Sequence, residues 1–109
     1  MLIHLISEFC EYEQAERGLA ENTIEAYRRD LFDFCNFLND LKIDDVNKIS
    51  RSHLNLYIKN LRERKLKASS VMRRIAALRG WFGWMAINGK ITNDPTLTLE
   101  YPSSSNSLR

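Results

Sequence analysis

The chain has 109 residues, of which 44% are hydrophobic and 28% charged, and a formal net charge of +2. That length supports one small domain with a single core, and no apolar run approaches the ~18 residues of a membrane span. The stretch from Leu2 to Ile6 is short, contains His4, and lacks the basic leader and cleavage site of a signal peptide. Cys10 and Cys35 each sit within an amphipathic pattern. With no secretory signal, they read as reduced core residues of a cytoplasmic protein rather than as a disulfide. His4 and His53 lie far apart in sequence without ligand partners, so no metal site and no cofactor are expected.

The small net charge hides an asymmetry. Residues 1–50 carry 11 Asp/Glu against 5 Lys/Arg, whereas residues 51–90 carry 10 Lys/Arg against the single acid Glu63. A basic half beside an acidic half points to a polyanion on one face. The plainer alternative is a solvated helical surface with uneven charge.

Leu2, Leu5, Ile6, Phe9 and Cys10 form a helical stripe, so a first helix is expected over 2–17, with Gly18 as its stop. A second begins near 22, where Asn22 or Thr23 can satisfy first-turn amides, and runs to 40. Its stripe is Ile24, Tyr27, Leu31, Phe34 and Leu38, and Arg28 and Arg29 flank it. Leu41 to Ile49 reads as a connector pinned by Leu41, Ile43, Val46 and Ile49. Ser50 is a good N-cap for a third helix over 51–64, with stripe Leu54, Tyr57, Ile58 and Leu61. Arg62, Arg64, Lys65 and Lys67 crowd its C-terminal end, where the helix dipole already favours cations.

The fourth helix is expected over 69–88, capped by Ser69 or Ser70. Val71, Ile75, Leu78, Phe82 and Met85 recur at steps of four, three, four and three, which is one apolar stripe. Ser70, Arg73, Arg74, Ala77 and Trp81 fall to the side or opposite. Ala77 and Gly80 would let a partner approach the backbone closely; Gly80 and Gly83 each cost about 1 kcal/mol of helix propensity against Ala. Asn88-Gly89 stops the helix, and a short fifth helix is expected after Pro95. Leu31, Phe34, Leu54, Ile58, Ile75, Leu78 and Phe82 are expected to share one core. The fold class is therefore all-α, a compact bundle of four helices plus a short fifth, with no strand and no internal repeat. Residues 1–102 make the domain, and the Ser-rich stretch 103–109 reads as a linker.

No positioned nucleophile, acid–base pair, phosphate-binding glycine loop or metal cluster stands out, so no catalytic residue is assigned. The chain reads as a binding module with no small-molecule substrate and no membrane partner.

Gly18-Leu19-Ala20-Glu21-Asn22-Thr23-Ile24-Glu25-Ala26-Tyr27-Arg28-Arg29-Asp30-Leu31 resembles the second-helix signature of tyrosine recombinases of the phage integrase and Xer type. The stretch from Ala68 to Phe82 resembles their fourth helix. Asn88 to Pro95 is similar to the turn that closes the domain, with Asp94 intervening before the proline. Ala20 departs from the serine cap common in the family. The resemblance implies an N-terminal, SAM-like core-binding domain that precedes a separate catalytic domain carrying the tyrosine nucleophile. Its partner would be duplex DNA, clamped between the two domains, with tetramers assembling on paired sites and helix one touching a neighbouring subunit. By position, it implies DNA contacts from Asn22, Thr23 and Arg29 on helix two, and from Lys67, Ser69, Ser70, Arg73 and Arg74 at helix four. Hydroxyls, guanidinium groups and helix-start amides suit phosphate oxygens. Both Arg73 and Arg74 are expected to stand exposed, whereas Arg28 and Arg79 lie nearer the apolar stripes and suit an ion pair as well. The rival reading is a helical protein–protein interaction module anchored by Trp81 and Trp84.

Overall fold

A computed structural model of the chain describes residues 2–99. Four α-helices make up the bundle: α1 (Leu2–Arg17), α2 (Glu21–Asp40), α3 (Arg51–Glu63) and α4 (Ala68–Ile87). Each lies within one residue of its expected bounds. The connector before α3 holds a single 3-10 turn, Val46–Lys48, with the Asp45 carboxylate accepting from the Asn47 amide at 2.9 Å. Among the described residues there is no strand. The fifth helix does not form: residues 95–98 are turns. There the Asp94 carboxylate accepts from both the amide and the hydroxyl of Thr96, at 2.8 and 2.6 Å, which closes a local turn instead of opening a helix. The expected linker at 103–109 lies outside the described residues.

The helix ends follow from left-handed residues. Gly18 and Gly89 have φ of 63° and 71°, the conformation glycine adopts without steric cost. Lys42 and Lys65 take the same role after α2 and α3, with φ of 61° and 62°. In each, the next amide folds back onto a last-turn carbonyl, Ile43 to Leu38 and Leu66 to Leu61, as in a Schellman motif.

One core unites the four helices. All seven expected core residues are buried, Ile58 at its edge and the others almost completely. Phe34 sits at the centre, its ring edge-on to Tyr57, Trp81 and Phe82 at centroid distances of 5.0, 6.4 and 6.3 Å. Trp81 is 0% exposed, and its indole N–H donates to the Leu5 carbonyl at 3.2 Å. Its expected place away from the buried stripe is thus corrected: the polar nitrogen finds a backbone acceptor on α1, so the whole ring can enter the core. Ala77 is buried too. The close approach at Gly80 is internal, because a Cβ there would lie 3.3 Å from the Phe9 ring. The flank of α4 that carries Gly80 and Trp81 therefore faces α1.

Candidate nucleic-acid interface

The site residues lie on α2 and α4. Asp30 meets Arg73, and Phe34 meets Trp81 and Phe82. The pairs advance together along both helices, so α2 and α4 run in the same sense and their N-termini share one end of the bundle.

Both N-termini lack a side-chain cap. The N-cap positions are Ala20 and Lys67, each in extended backbone, and neither makes a side-chain capping bond. The first paired helical amides are those of Ile24 and Val71. Asn22, Thr23, Ser69 and Ser70 lie inside the first turns rather than at the caps, which corrects the capping role expected of them. The earlier amides have no protein acceptor among the described residues. By contrast, Ser50 and His53 close a capping box on α3, the Ser50 amide donating to His53 Nδ1 at 3.0 Å. An uncapped first turn presents free N–H groups and the positive end of the helix dipole.

Lys67 is exposed at the N-cap of α4, and Arg29 is exposed about two turns along α2. Among the described residues, no carboxylate lies within ion-pair distance of either. Asn22 and Ser69 are also exposed, and Thr23 and Ser70 half-buried.

The two central arginines of α4 are not alike. Arg73 grips Asp30 side-on, Nε to Oδ2 at 2.8 Å and Nη2 to Oδ1 at 3.0 Å. Its side chain remains 43% exposed over a carboxylate only 2% exposed. Arg74 is 15% exposed. Its Nη1 donates to Asp33 Oδ2 at 2.7 Å and to the Tyr57 hydroxyl at 3.1 Å, and its Nε lies 3.8 Å from Asp30. The expectation that both arginines stand free in solvent therefore fails for Arg74, which is an internal ion-pair residue. Two acids of the acidic half, Asp30 and Asp33, are paired with arginines of the basic half, so part of the charge asymmetry cancels inside the fold.

Arg64 from the end of α3 joins the same cluster, donating to Asp33 Oδ2 at 2.9 Å. Burial raises the Asp33 pKa, but hydrogen bonds from Arg64 and Tyr57 and the charges of Arg64 and Arg74 outweigh it, leaving the carboxyl below its ordinary value. Burial and the bond to Asp33 push the Tyr57 phenol well up. Arg28 pairs with Glu25 at 3.6 Å, and Arg79 donates to the Leu99 carbonyl; both therefore have structural partners.

Residues 6–89 match the family model described as phage integrase, N-terminal SAM-like domain. The chain belongs to that family. It is 36% identical to a tyrosine recombinase XerD of Listeria monocytogenes serotype 4b (strain F2365), over 95% of this chain and 35% of the relative. It is 34% identical to a tyrosine recombinase XerC of Roseiflexus sp. (strain RS-1), over 89% of this chain and 31% of the relative. A tyrosine recombinase XerD of Rickettsia bellii (strain RML369-C) is 31% identical over 97% and 34%. The chain thus spans about a third of the length of these relatives. No solved structure matches it significantly. The integrase-type domain read from the motifs at 18–31, 68–82 and 88–95 is therefore the family itself. Among the described residues, no helix is long and apolar enough to cross a membrane.

Proposed function

We propose that this domain binds duplex DNA as the core-binding part of a tyrosine recombinase, with a catalytic domain supplying the other half of a clamp. The observation that carries this reading is the shared end of α2 and α4. Two uncapped first turns lie toward that end, with the cation Lys67 at the start of α4, Arg29 about two turns along α2, neither with an acid partner among the described residues, and Arg73 one turn along α4. Free amides and hydroxyls of Asn22, Thr23, Ser69 and Ser70 suit phosphate oxygens, and the cations hold the polyanion by counterion release. Arg74 is reassigned from DNA contact to support of α4. The domain takes residues 1–102, and 103–109 leads toward the catalytic domain. Assembly into a tetramer on paired sites belongs to the full-length parent.

The rival protein-interaction reading loses one of its two anchors, since Trp81 is fully buried, and Trp84 packs on Phe9 at 5.9 Å. Titration of a labelled duplex of about 30 base pairs at two salt concentrations tests the proposal. Weak binding whose affinity falls steeply with salt is expected, because phosphate contacts release counterions. Absence of binding at low salt, or affinity indifferent to salt, overturns it.

A further inference from the structure

We propose that Asp30 is a positioning residue for DNA contact: its buried carboxylate locks the Arg73 guanidinium side-on and aims the remaining donors outward at phosphate. This rests on the duplex-binding reading above. A guanidinium carries five N–H groups. Asp30 takes two of them, on Nε and Nη2, so three remain, directed away from the carboxylate toward the exposed side of α4. The side chain is thus already ordered before any ligand arrives, and the rotamer freedom an arginine normally loses on gripping a phosphate has been lost on folding. The pair does not silence the site electrically. Asp30 and Asp33 face Arg64, Arg73 and Arg74 in one cluster, which leaves one positive charge in excess. Asp30 itself is 3% exposed, so it cannot touch DNA and acts only through the arginine.

The proposal makes a prediction opposite in sign to plain charge counting. Replacing Asp30 by Asn removes a negative charge from a DNA-facing cluster, which by long-range electrostatics tightens binding. If Asp30 positions Arg73, the same change loosens it. The test is duplex titration at two salt concentrations for the wild-type chain, D30N, R73K and the double variant, beside circular dichroism melts of each. R73K keeps the charge but loses the fork that fits a carboxylate side-on. D30N and R73K should each weaken binding about fivefold, the worth of one ordinary hydrogen bond. The double variant should bind no more weakly than R73K alone, because both changes remove one device. A folded D30N that binds as tightly as the wild type or tighter overturns the proposal, as does an R73K that keeps full affinity. Should D30N melt below the titration temperature, R73K decides, since it keeps a cation over the buried Asp30 carboxylate. A wild-type chain without salt-dependent binding removes the duplex reading itself. Wild-type binding with unaffected variants removes only the role of Asp30.

Discussion

The Tyr57 hydroxyl donates to Asp33 Oδ2 at 2.6 Å, and through this bond α3 is tied to α2 at the level where α4 also arrives. The same oxygen accepts from Arg64 and Arg74, so one carboxylate oxygen gathers donors from α3, its C-terminal end and α4. Tyr57→Phe deletes the hydroxyl while keeping the ring against Phe34 and Phe37. It should cost about 1–2 kcal/mol, read as a lower midpoint in urea denaturation. An unchanged midpoint would show that the arginines alone hold the three helices together.

Asp33 also sets a dependence on acid. Its carboxyl pKa lies below the ordinary 3.8 in the folded protein, so the unfolded chain takes up the proton first and acid favours unfolding. The stability Asp33 contributes is complete above about pH 4 and disappears as pH falls through the lowered folded value. Urea denaturation of wild type and Asp33→Asn at steps from about pH 7 to about pH 2 should give a stability gap that is flat down to about pH 4 and then closes. A gap that stays constant throughout contradicts the assignment.

The four helices and the core were legible because period-3.6 stripes and glycine stops are local signals. What the stripes could not reveal is which polar residues are used inside. Arg73 and Arg74 are neighbours with the same chemistry, and Asp30 and Asp33 are a full helix and a connector away in sequence. Only the tertiary register of α2 on α4 decides that Arg74 is swallowed while Arg73 keeps an outward face. Trp81 was misplaced for a related reason: its acceptor is the Leu5 carbonyl, a backbone atom invisible to side-chain patterning. The lysine stops at 42 and 65 carry no sequence signal, since lysine is not a residue that favours the left-handed region. For the candidate interface, the hydroxyl and amide residues at the two helix starts were named from the motif, and their placement inside uncapped first turns depended on where each helix actually begins.

The two glycines of α4 should respond differently to alanine. A Cβ at Gly83 meets nothing within 4 Å, whereas one at Gly80 approaches the Phe9 ring to 3.3 Å. Gly83→Ala should therefore raise stability by about 0.5–1 kcal/mol through helix propensity alone. Gly80→Ala should gain less or nothing, and Gly80→Val should destabilise, because the Phe9 ring must give way within a packed core. Thermal melts of the three variants check this; equal stabilisation by both alanines would mean that α1 does not press on Gly80.

The sharpest division lies between Arg74 and the two exposed cations Arg29 and Lys67. Arg74→Ala removes a mostly buried guanidinium that balances Asp33 and lies near Asp30, leaving their charges less compensated and the Tyr57 hydroxyl without one donor. Breaking a buried pair from one side costs about 3–5 kcal/mol in full burial, and the half-buried Asp33 lowers that, so a loss of about 2 kcal/mol is expected. Arg29→Ala and Lys67→Ala remove exposed side chains with no acid partner among the described residues, and should leave stability within about 0.5 kcal/mol. On duplex DNA the order reverses. Each of these two variants should weaken binding and flatten the salt slope by about 0.9 for each phosphate it no longer neutralises. Arg74→Ala, measured well below its melting temperature, should keep the wild-type slope. Melts and two-salt titrations of the three variants separate the roles. If Arg74→Ala flattens the slope as much as Lys67→Ala, then Arg74 leaves its acids to reach phosphate, and the internal cluster opens when DNA binds.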